Sequence, residues 1–148
     1  MPDDNKTTQY KPPFDTKLLD SLMEEADLDA LVVNSKHNIR YLMGGYNFFF
    51  FGAMDAVGVS RYLPIFVYRR GHPEQSAYVG NRMENYEREL GRLWTPSLAL
   101  NNWGSLDSIG DAIAHLKKLG GCRRIGFETA FMPADAADAL RDGLGNST

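Results

Sequence analysis

The chain of 148 residues has one cysteine, Cys122, and three histidines, His37, His72 and His115. A lone cysteine excludes an internal disulfide and any multi-cysteine zinc site, and fits a reducing cytoplasm. No histidine has a partner at metal-ligand spacing, and there is no HExxH. No apolar run approaches the roughly 20 residues that cross a bilayer, so no membrane partner is expected. The start, MPDDNKTTQY, is polar and acidic, unlike a signal peptide. A surplus of positive charge is also missing. The net charge of −3 argues against nucleic acid, which needs a basic face. The basic pairs Arg69-Arg70 and Arg123-Arg124 each adjoin a predicted strand and read as solvated edges.

The usual catalytic patterns are absent as well. Gly44-Gly45 is followed by aromatics, not by the Lys-Ser/Thr of a phosphate loop. Ser35 and Ser60 lack a nucleophile-elbow context. Cys122 adjoins Arg123-Arg124, a neighbourhood that can lower a thiol pKa; the alternative is a structural or incidental thiol. The acidic residues Asp15, Asp107 and Asp135 sit at predicted helix starts, where they complement the dipole. No catalytic residue and no metal ligand is assigned.

What is present is a foldable pattern. Hydrophobic residues make up 43% of the chain, enough for one globular domain. Residues 1–13, ending in Pro12-Pro13, read as a disordered leader, and 14–148 as the domain. Asp15 is placed to cap a helix, with Phe14 and Leu19 as a hydrophobic staple and Leu18, Leu19, Leu22, Met23 and Ala26 as its apolar stripe. Ala30–Val33 is a continuous apolar run that suits a strand covered on both faces. Asn38 is placed to cap the turn that follows, with Ile39, Leu42 and Met43 on one side and Gly44-Gly45 as the stop. Leu63–Tyr68 and Ser76–Val79 read as a hairpin around Gly71-His72-Pro73. Asn81 and Glu84 make a capping box for a helix with Met83, Tyr86, Leu90 and Leu93 as its apolar positions. Thr95–Leu100 is a candidate strand. Ser105 or Asp107 caps a helix with Leu106, Ile109, Ile113 and Leu116 inward and Gly120-Gly121 beyond its end. Arg124–Glu128 is a short strand, and Pro133 opens a last helix with Ala136, Ala137 and Leu140 apolar, closed by Gly143. Helices alternating with strands, plus one hairpin, predict a layered α/β domain with a mixed sheet.

The stretch 46–62, YNFFFFGAMDAVGVSRY, fits neither period. Four consecutive phenylalanines, Phe48 to Phe51, are too dense for a solvated loop. Either some face outward, or two of them fill the domain's own core.

Four signatures together resemble the N-terminal domain of the creatinase/prolidase/aminopeptidase P (M24, pita-bread) family: LLDSLMEEADLDALVV, NIRYLMGG, the LPIFVYRRG hairpin, and RRIGFE before a proline-started helix. The resemblance covers about residues 14–145 and implies a three-layer α/β/α domain with a mixed sheet, a ribonuclease H-like motif. It implies a noncatalytic domain of a metallohydrolase, a Xaa-Pro peptidase relative, that contributes to dimerisation and substrate selectivity. The nearest rival within the family is a creatinase-like amidinohydrolase; from another class, a free-standing α/β module binding a ligand or protein. The implied partners are a second subunit and the protein's own C-terminal catalytic domain, where divalent metals such as manganese would sit. None of that domain's ligand motifs occurs here, so the chain alone is expected to be inactive. Against the family's pattern the resemblance implies that the chain stops before the final strand, which would leave one sheet edge unpaired. Loops after the NIxYLxG turn can reach a neighbouring active site in this family. The residues so implied are Tyr46, Phe48, Phe49, Phe50, Phe51 and Arg61.

Overall fold

A computed structural model describes residues 11–53, 56–57 and 60–145. Most of the expected leader, residues 1–10, lies outside the described residues, as do parts of the 46–62 stretch. Pro13 already packs on the domain: a Cβ on Gly44 would lie 2.9 Å from Pro13 Cβ.

The elements in chain order are α1 (Thr16–Glu25), β1 (Ala30–Val33), α2 (Lys36–Leu42), α3 (Phe50–Ala53), β2 (Ala56–Val57), β3 (Ser60–Arg61), β4 (Ile65–Arg69) and β5 (His72–Asn81). After a 3-10 turn at Arg82–Glu84 come α4 (Asn85–Glu89), β6 (Ser97–Asn102), α5 (Ser105–Leu119), β7 (Ile125–Phe127) and α6 (Ala134–Leu144). The main sheet has the order β6-β5-β4-β1-β7. β4 is antiparallel to β1 and β5, while β6 and β7 run parallel to their neighbours, so the sheet is mixed. β2 and β3 form a separate two-stranded ladder.

Strand alternation divides the core in two. On one face Ala30, Val32, Ile65, Val67, Ala77 and Val79 meet Ile109, Ala112 and Leu116 of α5 and Ala136, Ala137 and Leu140 of α6. On the other, Val33, Phe66, Tyr68, Tyr78 and Leu100 meet Met23 of α1, Ile39 and Leu42 of α2, and Tyr46, Phe48, Phe50 and Phe51. The result is the expected three-layer α/β/α domain.

Local signals act as read at several points. Asp15 accepts from Leu18 N at 3.0 Å, β1 occupies the predicted residues, and the capping box at Asn81/Glu84 is formed. Gly44 and Gly45 have φ of +72° and +90°, a region that disfavours a side chain. Other expectations are corrected. Ser35, not Asn38, is the residue before α2, and Asn38 sits inside it. The helix from 105 follows Gly104, and Ser105 Oγ donates instead to Asp135 Oδ2 at 2.7 Å. α6 runs past Gly143, which is there because a Cβ would lie 2.9 Å from Ile113 Cδ1. Leu18, Leu22, Met83, Tyr86, Leu90 and Leu106 are exposed, not inward. In α1 the apolar residues packed into the core are Leu19 and Met23, and α4 has just the five residues Asn85–Glu89, too short to bury a stripe. Among the described residues no helix is long and apolar enough to cross a membrane.

Candidate functional site

The parallel neighbours β1 and β7 end side by side, and their C-terminal ends build the first part of the site. Glu128, just past β7, accepts from Asn34 N at 2.7 Å, Ser35 N at 2.6 Å, Ser35 Oγ at 2.7 Å and Asn38 Nδ2 at 2.5 Å. Burial works to raise this carboxyl's pKa. The Ser35 N–H and hydroxyl, the Asn34 N–H and the Asn38 amide outweigh it, holding the carboxyl below its usual range. The carboxylate thus ties β7 to the start of α2. Asn34 Nδ2 donates to Phe131 O at 2.6 Å, and the Phe131 ring meets His37 edge-on at 5.4 Å.

Two shallow clefts share the exposed flank of α2. One, of about 230 Å³, lies between Asn34–His37 and the segment Arg61–Pro64, with Phe131 at its side. The other, of about 360 Å³, lies between Lys36, His37 and Arg40 and the aromatic turn at Asn47–Gly52. Lys36, Arg40 and Arg61 give this flank a cationic rim. Exposed Phe49 and Phe131 give it apolar walls.

Beneath the rim the aromatic turn folds inward. Phe48, Phe50 and Phe51 are buried, as is Tyr46, whereas Phe49 is 59% exposed. Phe49 still rests on its neighbours, with ring centroids 4.7 Å from Phe48 and 4.6 Å from Phe50. Of the residues singled out as facing a partner or substrate, Tyr46, Phe48, Phe50 and Phe51 belong to this domain's own core. Phe49 and Arg61 are left at the surface. The physical reason is the tight turn that leads into α3, closed by Phe51 N–H donating to Phe48 O at 2.9 Å: it sends successive rings to different sides, so most can pack while Phe49 projects.

A second carboxylate anchors this core. Glu84 is fully buried. Its Oε1 accepts from Tyr46 Oη at 2.8 Å and Tyr78 Oη at 2.6 Å, and its Oε2 from Tyr62 Oη at 3.0 Å and Asn81 N at 2.6 Å. Burial pushes the Glu84 carboxyl up, and the hydroxyl and N–H donors only partly offset it. Burial beside this carboxylate also pushes Tyr46, Tyr62 and Tyr78 well above the ordinary phenol value, so they stay protonated and donate. Tyr46 and Tyr62 bracket the 46–62 excursion, so one residue holds both of its ends. Sequence reading saw Glu84 only as a helix cap. The hydroxyls it collects come from three separate places in the chain.

Both carboxylates are saturated with donors, and Glu84 has no access to solvent. His72 Nδ1 lies 3.0 Å from Glu74 Oε1 on the surface, and His115 Nε2 lies 2.8 Å from Gln75 O. Burial raises the Cys122 thiol, with Arg69 only partly offsetting it, which is the structural or incidental thiol of the two readings. Among the described residues no group of three His, Cys, Asp or Glu could hold a metal ion.

The sequence matches the Creatinase/Prolidase N-terminal domain family over residues 16–148. No curated protein matches it. Among solved structures, the Xaa-Pro dipeptidase from Bacillus anthracis superposes with a TM-score of 0.62 at 12% identity, over 88% of this chain and 30% of that one. A proline dipeptidase from Streptococcus pneumoniae gives 0.61 at 16% identity, over 87% and 84%. The N-terminal domain of the cytoplasmic peptidase PepQ from Mycobacterium tuberculosis gives 0.58 at 18%, over 87% and 83%. At such identities the likeness shows the fold. This chain spans about 30% of the length of the Bacillus anthracis dipeptidase.

Proposed function

The chain belongs to the creatinase/prolidase N-terminal domain family, and on that premise we propose that it is the noncatalytic domain of an M24-type hydrolase acting on Xaa-Pro peptides. In this reading the exposed flank of α2, with Phe49 and Arg61, faces an active site supplied by a catalytic domain of its own or a neighbouring subunit. A divalent ion such as manganese would be held there, outside these residues. The observation that carries the reading is Phe49: a phenylalanine 59% exposed, propped up by buried rings and set beside a cationic rim. A guanidinium pairs well with a carboxylate, and an aromatic ring offers a surface to an apolar one. A Xaa-Pro dipeptide presents both groups, a terminal carboxylate and a prolyl ring.

The test uses an enzyme that carries this domain. Phe49→Ser and Arg61→Ala should each lower kcat/KM for a Xaa-Pro dipeptide roughly tenfold, equivalent to about 1.4 kcal/mol, without altering the thermal midpoint. Unchanged kinetics in both variants would overturn the role given to this flank. The chain by itself, with the same dipeptide and manganese, should show no hydrolysis. Turnover would overturn the noncatalytic assignment.

A further inference from the structure

Arg61 is held from both sides of its own position. Before it, Ser60 Oγ accepts from Ser105 N at 3.1 Å. Ser60 also presses on Gly104 so closely that a Cβ there would collide with it. The start of α5 thus pins Ser60. After it, Tyr62 is buried, and its hydroxyl donates to Glu84 Oε2 at 3.0 Å. Arg61 itself is exposed, a surface cation between two internal anchors.

The anchor at Glu84 is deep. Glu84 ends the 3-10 turn after β5, and its Oε2 also accepts from Asn81 N at 2.6 Å, which closes that turn on itself. The acceptor that Tyr62 meets is therefore fixed to the end of the sheet and not to the excursion. The Tyr62 ring is packed as well, edge-on to Phe50 with centroids 5.2 Å apart. A tyrosine with its ring packed and its hydroxyl bonded has its rotamer set, and the backbone that carries it is restrained in turn. A buried carboxylate is a costly way to hold a core, since an apolar side chain of similar volume is often at least as stabilising. Fixing what lies above it gives Glu84 a role that stability alone does not.

We propose that Glu84 is a positioning residue for Arg61. Acting through the Tyr62 hydroxyl, it sets where the guanidinium stands in the cleft between Arg61–Pro64 and Asn34–His37. Glu84 is fully buried and touches no substrate. A guanidinium is a planar fork, and its pairing with a carboxylate depends on direction. A small displacement of the backbone at 61 and 62 therefore weakens the pair without removing either partner. The proposal rests on the substrate-facing role proposed above for Arg61.

Steady-state kinetics of an enzyme that carries this domain, with a Xaa-Pro dipeptide, test it through Tyr62→Phe. That variant removes the hydroxyl and keeps the ring beside Phe50, so Phe49 keeps its support. KM should rise roughly fivefold with kcat unchanged, because binding is lost while the chemistry is untouched. A merely structural loss does the opposite: a smaller folded fraction lowers kcat and leaves KM alone. Glu84→Leu should raise KM to the same extent; if too little of it folds to assay, Tyr62→Phe decides alone. Tyr68→Phe is the control. Its hydroxyl donates to Asp20 Oδ1 at 2.8 Å in the same aromatic core, without contact to Glu84, and its KM should match wild type. In an Arg61→Ala background Tyr62→Phe should raise KM no further, as expected of two residues that act as one unit. A wild-type KM in Tyr62→Phe, an equal rise in Tyr68→Phe, or effects of Tyr62→Phe and Arg61→Ala that multiply would each overturn the proposal. A wild-type KM in Arg61→Ala alone would instead overturn the role of Arg61 in binding, so the two failures are told apart.

Discussion

Glu84 and Glu128 are the same residue with the same number of donors, four each, and opposite acidities. Glu84 is pushed up and Glu128 is held down. The donors differ in kind. Glu84 collects phenol hydroxyls from Tyr46, Tyr62 and Tyr78, which belong to the body of the aromatic core. Glu128 collects N–H and side-chain donors from Asn34, Ser35 and Asn38 at the rim. Burial differs too: Glu84 is sealed beneath the sheet's aromatic face, while Glu128 keeps part of its surface in water. The pair shows that a full set of hydrogen bonds does not fix the direction of a pKa shift. The depth at which the carboxylate sits decides whether those bonds outweigh desolvation.

The largest way to break this comparison is Glu84→Ala. It strands three phenol hydroxyls and the Asn81 N–H, releases both ends of the 46–62 excursion and leaves a cavity. The expected loss is about 3–5 kcal/mol in urea unfolding, set by the penalty for buried donors left without acceptors. Glu128→Ala should lose less, about 1–2 kcal/mol, because water can reach part of the vacated site. If Glu128→Ala proved the more damaging, the aromatic core would not depend on its carboxylate.

The finest way to sharpen the comparison is pH. Because Glu84 is raised when folded, the native state holds its proton above the ordinary value of 4.5 more tightly than the unfolded chain does. Its contribution to stability therefore declines as pH rises from 4.5 towards the folded pKa. Glu128 is lowered, so its contribution is present above 4.5 and disappears as pH falls through the folded pKa. Unfolding midpoints of Glu84→Gln and Glu128→Gln, each subtracted from wild type across pH 3 to 8 (about the range proteins tolerate), should slope in opposite directions. Parallel slopes would mean that the two environments do not differ in the stated way.

The sequence carried β1, the caps at Asp15 and Asn81, and the glycine stop at Gly44-Gly45, because each depends on neighbours a few residues away. The order of elements was enough to give the layered fold. Inward faces were less legible. Leu18, Leu22 and Leu106 have helical spacing but lie outside the arc that touches the sheet, and spacing alone does not say where that arc is centred. Cys122 was left between two readings because the adjacent arginines were visible and its burial was not. The two carboxylates could not be read at all as centres. Glu128 meets Asn34 and Ser35 from 93 or 94 positions away, and Glu84 meets Tyr46 from 38. The run Phe48–Phe51 concealed its division of labour: three rings inside and Phe49 outside, a split made by the tight turn that leads into α3.

Gly80 lies directly over Glu84. A Cβ there would collide with the Glu84 carboxylate and come within 2.9 Å of Leu100 Cδ2. The space a side chain would take at position 80 is already spent on the carboxylate at position 84. The two sites therefore cannot vary independently. In any lineage that carries this core, an alanine at 80 becomes acceptable only after the residue at 84 has shrunk. A glutamate at 84 can arise only while 80 remains bare. The buried network thus prescribes an order of substitutions, and it makes the mutational history of position 84 depend on one missing methyl group at position 80.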